Sequence, residues 1–393
     1  MTPSTQAPPQ RPPSSNGRSP IGAQLEHFWD RVTEGRELNQ LWTQFKTDAK
    51  ASYRLYSHDF AQSKTQRDWR HNFFGTLLDF IYAIIEKLSP ARRVLLLLGL
   101  ILLLVPVGGY SYHGKDGGVE VVELDTHFYG GIILFLLLML EVADRVVMKR
   151  DLQIARDIQG WLLPANPPEI PGAVIAFATR PANTVAGDYY DVFPRPGLAP
   201  GERNFILAVA DVAGKSIPAA LLMATFQASL KTLSTSVASL NDLVSGMNRY
   251  ACGNSQGGLR FTTAFLAEYD PLSRRLTYTN AGHNAPILRR TDGTIERLTR
   301  GGIPFGIQGD TTYDSDSVVL EPGDWLVVFT DGLIEAANDL REEYDEPRLL
   351  NLLNASALVT PQQLLARIMT DVDAFVGPTP QHDDITCLLM KVS

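Results

Sequence analysis

From Val94 to Tyr110 the chain carries no charge, and VLLLLGLILLLV makes up most of the run. As a helix it would be roughly 25 Å long at 1.5 Å per residue, close to the hydrocarbon thickness of a bilayer. A helix that is apolar all round has no wet face to turn outward, which argues against placing it on the surface of a soluble core. A second apolar stretch, Phe128 to Ala143, is broken only by Glu141. Arg92 and Arg93 precede the first stretch and Arg145, Lys149 and Arg150 follow the second; residues 111–127 between them hold one lysine against four acidic side chains. Basic flanks stay on the cytoplasmic side. The sequence therefore predicts a two-helix transmembrane hairpin, about 94–110 and 128–143, with a short acidic outer loop and both chain ends in the cytoplasm. A single span would leave everything after residue 150 outside the cell, which fits poorly with the residues found there.

The flanking segments differ in kind. Residues 1–20 contain six prolines and no large apolar residue, a composition that predicts a disordered tail and lacks the pattern of a secretory signal. Residues 21–93 read as a mostly helical cytoplasmic region without a functional motif. Within it, Phe73, Phe74, Leu77, Leu78, Ile81, Ile84, Ile85 and Leu88 fall at helical spacing, so 71–88 is expected to be an amphipathic helix, packed on its own domain or lying on a membrane surface. After the second apolar stretch, Val142, Val146, Val147, Leu152, Ile154, Ile158, Leu162 and Leu163 predict a helical linker over 144–164, stopped by Pro164. The spacing from 141 to 163 suits a homodimer seam as well as a contact with a neighbouring domain. The net charge of −8 divides unevenly, +4 over residues 1–93 and −12 over the rest. An acidic remainder argues against nucleic acid as a partner, because phosphate backbones need a basic surface. Two cysteines, Cys252 and Cys387, are too few for a disulfide framework or a cysteine zinc site.

Residues 165–393 change character, with short apolar runs alternating with Gly, Pro and Asp. Strands are expected at Val174–Thr179, Phe205–Asp211, Thr262–Tyr269, Arg275–Thr279, Trp325–Thr330 and Ile385–Val392, and helices at Pro218–Leu233, Leu240–Tyr250 and Pro361–Phe375. Strand pairs with helices in blocks indicate an antiparallel α+β layered domain. Acidic residues recur where strands hand over to turns: GDYYD (Asp188, Asp191), ILAVADVAGKS (Asp211), WLVVFTDG (Asp331) and QHDDIT (Asp383, Asp384). A single strand-end Asp is usually a turn former. Several of them, mostly without Lys or Arg alongside, would repel one another unless cations neutralised them. Hard divalent ions prefer such oxygen ligands, and a carboxylate-bridged pair of metals can activate water and clamp a phosphoryl group.

In this order, ARDIQGWLLP, AGDYYD, ADVAGKSIPAALLMATF, FTTAFLAEYD, NAGHNAP, GIPFGI, LEPGDWLVVFTDGLIEA and HDDITCLLMKV resemble the PPM-type (type 2C) metal-dependent serine/threonine phosphatases, and among them the SpoIIE/RsbU-like branch of bacterial signalling. The resemblance covers residues 151–393 and leaves 1–150 untouched. It implies an antiparallel β-sandwich flanked by helices and two Mn²⁺ or Mg²⁺ ions. Asp211 would bridge the ions, Val212 would offer its backbone carbonyl to one, and Asp331 with an aspartate of the DDIT motif would complete a site. Asp383 is preferred there, with Asp384 as its neighbour. Asp188 would hold a water beside the ions or join one directly. Where relatives read Gly-Lys-Gly, this chain has Gly214, Lys215, Ser216, a departure that would disturb the turn if a positive φ is required there.

Other residues invite blander readings. Cys252 lacks the arginine of a Cys-x5-Arg phosphatase, because Gly258 stands at that position, and Cys387 lies in an apolar strand. His283 sits in a Gly/Pro/Asn turn and reads as structural, Lys215 as a solvated turn residue. His382, beside the metal carboxylates, could protonate a leaving serine oxygen. The expectation is thus a phosphatase of phosphoserine or phosphothreonine proteins, anchored in the inner (cytoplasmic) membrane with its domain in the cytoplasm. The family implies an anti-anti-sigma (STAS-type) domain as its substrate. Two alternatives stand beside it, a catalytically weak phosphatase fold acting as a binding module and a two-metal hydrolase of small phosphate esters.

Overall fold

The computed structural model describes Ile85 and residues 88–105, 109–113, 119–123, 125–195, 203–255, 260–355 and 359–393. The expected tail over 1–20 and nearly all of the region 21–93, including all but Ile85 and Leu88 of the amphipathic helix expected over 71–88, lie outside these residues. Two compact units divide at Glu141 and Val142.

In the first unit, helix α1 (Pro90–Leu104) and the start of helix α2 (Thr126–Leu162) run antiparallel, joined through a hairpin of strands β1 (Gly109–His113) and β2 (Val119–Glu123). Arg92 meets Glu141 at 3.3 Å at one end, and the Thr126 hydroxyl donates to the Val105 carbonyl at 3.2 Å at the other. Between them the helices touch through glycines: a Cβ on Gly130 would lie 2.9 Å from the Gly99 carbonyl oxygen. Two expected boundaries change. The first apolar helix stops at Leu104 instead of Tyr110, because Val105 precedes Pro106 and is already extended at ψ 122°, as the ring of a following proline demands. Tyr110 belongs to β1, so the segment expected as a loop carries a β-hairpin. The second helix runs unbroken into the stretch expected as a linker, ending next to Leu163 and Pro164.

Among the described residues no helix is long and apolar enough to cross a membrane. Helix α1 has 15 residues, about 22 Å. In α2 the run without polar or glycine residues, Ile132–Leu140, is only nine long before Glu141. Both helices nonetheless expose large apolar side chains, among them Val94, Leu97, Ile101, Phe135, Leu136 and Leu138.

The second unit is a sandwich of two sheets with helices outside each. One sheet orders β10 (Gly301–Gly302), β7 (Arg275–Ala281), β6 (Thr262–Asp270), β5 (Phe205–Val212) and β4 (Tyr189–Pro194), with β11 (Asp316–Val319) also on β7. The other orders β3 (Ala173–Arg180), β13 (Ile385–Val392), β12 (Trp325–Phe329), β8 (Ile287–Arg289) and β9 (Ile295–Arg297). The ladders between the strands of this unit are antiparallel except the two-residue contact of β10 with β7.

Side-chain alternation builds the layers. Leu207 and Val209 of β5 point between the sheets towards Leu326, Val328, Leu388 and Met390. Ile206, Ala208 and Ala210 point the other way, onto helices α3 (Ser216–Ser234) and α4 (Leu240–Asn254) through Met223, Leu230, Leu243 and Met247. Outside the second sheet, Val327, Phe329, Cys387 and Leu389 pack on Leu333, Leu349, Leu364 and Ile368. These belong to helices α5 (Asp331–Ile334), α6 (Glu346–Asn354) and α7 (Pro361–Val376). Covering both faces of both sheets explains why the central strands read as continuous apolar runs. It also leaves the strand ends as the place where polar groups can gather.

Candidate active site

At one such end five of the six aspartates singled out from the sequence come together. Asp211 is next to last in β5, Asp331 opens α5 directly after β12, Asp383 and Asp384 precede β13, and Asp188 precedes β4. Their charges interact. Burial, reinforced by Asp331, Asp383 and Asp384, pushes the Asp211 carboxyl up to about 7, with Lys215 opposing. Burial likewise raises Asp331, with Asp383 adding to it. Asp188, 1% exposed, is raised well above the usual carboxylate range, by burial first and then by Asp211.

The two adjacent aspartates do different work. Asp384 accepts from the backbone N–H groups of Ala182 at 2.7 Å and Gly187 at 2.6 Å, so its oxygens are committed to the segment carrying Asp188. Asp383 instead faces Lys215, whose ammonium lies 3.0 Å from Oδ2 and 2.6 Å from the His382 carbonyl. The other oxygen of Asp383 accepts from the Asp384 N–H at 2.9 Å, so Asp383 is held by one backbone group and one movable side chain, and Asp384 by two backbone groups.

Two glycines set the close approaches. A Cβ on Gly187 would stand 3.1 Å from the Val212 carbonyl oxygen, and one on Gly332 would stand 2.1 Å from the Asp384 carbonyl oxygen. Val212, Gly187 and Asp384 are thereby gathered at one point. Ser216 adopts φ 64°; the turn after Lys215 does require the left-handed region, and here a serine bears the strain that glycine would avoid.

Residues that the sequence did not single out complete the site. The Thr330 hydroxyl donates to Asp188 Oδ2 at 2.9 Å and accepts from the Thr386 N–H at 3.0 Å, tying Asp188 to β13. Only its place before Asp331 in FTDG could have drawn attention to it. A groove of about 190 Å³ adjoins Asp383, lined by Arg180, Lys215, Glu335, Gln381 and His382 among others. His382 is exposed at its rim.

Other candidates fall elsewhere. Asp191 is occupied by the Tyr189 hydroxyl at 2.8 Å and the Lys231 ammonium at 2.7 Å. His283 is buried with Nδ1 3.0 Å from the Thr263 hydroxyl, and burial lowers it to about 4. Cys252 donates to Asn248, and Cys387 is buried with its thiol pushed up to about 12.

Among the described residues no three acidic, histidine or cysteine side chains are already drawn together as a metal cage. The donor set nevertheless suits hard cations: carboxylate oxygens from separate strand ends, a nearby backbone carbonyl, and charges that raise one another's pKa. Lys215 does not replace such cations. It is half-exposed, forms its ion pair with Asp383, and leaves Asp211 raised despite its presence.

Residues 201–393 match the family described as stage II sporulation protein E (SpoIIE). Over 274 residues the chain is 26% identical to protein IcfG of Synechocystis, covering 63% of this chain and 42% of that protein, so it spans less than half of that relative. Over 245 residues it is 27% identical to the phosphoserine phosphatase RsbU of Bacillus subtilis, covering 62% of this chain and 70% of RsbU. Among solved structures, the SiaA-PP2C domain of Pseudomonas aeruginosa superimposes with a TM-score of 0.54 at 21% identity, over 64% of this chain and 99% of that domain. At that identity the likeness concerns the fold.

Proposed function

We propose, from the match of residues 201–393 to the SpoIIE family, that the chain hydrolyses phosphoserine or phosphothreonine on a protein, without a covalent intermediate. The crowding of Asp211, Asp331 and Asp383 at one strand mouth, with a single lysine against them, carries this reading. Asp211, Asp331, Asp383 and the Val212 carbonyl would hold two Mn²⁺ or Mg²⁺ ions, with Asp188 beside them. Such ions supply the Lewis acidity that activates water and steadies phosphoryl charge.

The chain's own residues do the rest. Asp384 and Thr330 fix the segment bearing Asp188. His382, exposed at the groove rim, is placed to hand a proton to the departing serine oxygen. Similarity to a protein named phosphoserine phosphatase supports phosphoserine as the group acted on, and a STAS-type anti-anti-sigma domain is the partner we favour.

The reading extends to the first unit, which we place in the inner membrane with the phosphatase domain in the cytoplasm. The exposed apolar side chains of α1 and α2, their basic flanks and the acidic segment between them support this. The short α1 would then require local bilayer thinning. On the later part of α2, exposed Val147, Ile154, Ile158 and Trp161 form a stripe suited to a second copy of the chain.

The decisive assay is Mn²⁺-dependent phosphate release from a phosphoserine protein by the full chain, repeated with Asp211→Asn. A fall of at least about 100-fold is expected, since the substitution removes a carboxylate from the metal set. Activity surviving both chelator and substitution removes the mechanism; turnover of nucleotides with none on proteins turns the reading towards small phosphate esters.

A further inference from the structure

In its last turns helix α2 buries the wrong residue for an amphipathic helix. Gln159 is 6% exposed, while Ile158 and Trp161 beside it are 47% and 81% exposed. Burying a primary amide is unfavourable unless its donor and acceptor are both engaged. Here they are, and by one residue: Gln159 Nε2 donates to the Ala186 carbonyl at 2.7 Å, and the Ala186 N–H donates to Gln159 Oε1 at 2.9 Å. The side chain thus pairs with a backbone unit as a neighbouring strand would.

Ala186 is itself buried, and it directly precedes Gly187, whose N–H holds Asp384, and Asp188, which Thr330 holds. The segment from Ala182 to Asp188 is therefore fixed by Asp384 and Thr330 from within the sandwich and by Gln159 from the helix. Without Gln159, two buried backbone groups lose their partners, a loss the segment can relieve only by moving. Any such movement is felt at Gly187, which packs on the Val212 carbonyl.

We infer that Gln159 is a positioning residue, a latch through which helix α2 sets the segment 182–188 and, through it, the cation affinity of the Asp211 site. The cation part rests on the phosphatase reading; the latch itself does not.

The test uses the full chain, wild type and Gln159→Leu, with two readouts: amide hydrogen exchange of a peptide covering 182–190, and Mn²⁺ affinity by calorimetric titration. Exchange about tenfold faster in that peptide, together with Mn²⁺ binding about tenfold weaker, is expected, as for the loss of one buried hydrogen bond or more. Arg156→Ala, exposed on the same helix and outside the apolar stripe, should change neither. Unchanged exchange in a folded Gln159→Leu protein overturns the latch, and faster exchange with unchanged Mn²⁺ affinity overturns its link to the site. If wild type binds no Mn²⁺, the phosphatase reading falls while the exchange comparison still decides the latch. Should Gln159→Leu fail to fold, Gln159→Glu keeps the acceptor for Ala186 N–H and loses the donor. It should then show a change of the same sign, and wild-type behaviour in it overturns the proposal.

Discussion

The strain at Ser216 sits at a single backbone position, and it makes a prediction. At φ 64° a side-chain-bearing residue carries a penalty that glycine escapes. Ser216→Gly should therefore stabilise the domain by up to about 1 kcal/mol, read as a rise of a few degrees in melting temperature; a lower melting temperature would show that the serine is favoured for another reason. His283 makes a second, pH-dependent one. Its folded pKa of about 4 lies below the unfolded value of 6.5, so the unfolded chain binds the proton more readily. The His283 contribution is fully present above about pH 6.5 and is lost as pH falls towards 4, by up to about 3 kcal/mol. Urea midpoints at pH 7 and 4.5 should differ less in His283→Gln than in wild type, and equal differences would remove His283 from the acid sensitivity.

At the scale of elements, the site depends on how closely helix α5 approaches the start of β13. Gly332 leaves no room for a methyl group, since its Cβ would stand 2.1 Å from the Asp384 carbonyl oxygen. That neighbour is backbone and cannot swing aside. Gly332→Ala should cost about 1–3 kcal/mol and lower Mn²⁺ affinity as well, because Asp383 and Asp384 shift with β13. Calorimetric titration beside a thermal melt checks this; a stability loss with unaltered affinity would separate the packing from the site.

The elements themselves were unevenly legible in the sequence. Strands β5, β6, β12 and β13 announced themselves because apolar layers on both faces make unbroken runs. Strand β4 did not, since YYDVFP follows a Gly-Asp pair that reads as a turn and lies at a sheet edge. The pair β8 and β9 is three residues each, too short for any periodicity, although Asp292-Gly293 between them is a hairpin signal. Helix α6 escaped for the related reason that Glu346–Asn354 is brief and opens on Pro347. The carboxylates could be listed from spacing and resemblance. The division of labour between Asp383 and Asp384 could not, because it is decided by backbone N–H groups of Ala182 and Gly187 roughly two hundred positions away.

For the whole molecule, mutual repulsion at the strand mouth means that folding holds carboxylates together against their charge. A cation that binds only the folded chain should repay this: at a hundred times its dissociation constant, Mn²⁺ adds about 2.7 kcal/mol. Thermal melts with and without Mn²⁺ should separate by several degrees in wild type and much less in Asp211→Asn, and an equal shift in both would place the ion elsewhere.

Trp161 has a use that its surroundings alone confer. Trp325 is enclosed at 1% exposure whereas Trp161 stands 81% in the open, two positions past the glutamine latch. Its indole emission should be red-shifted and quenched by iodide, and anything that settled over that turn would blue-shift it and shield it. Trp29, Trp42 and Trp69 emit as well, so it is in a chain with those three changed to Phe that Trp161 becomes an optical reporter of whatever docks there, readable without a label.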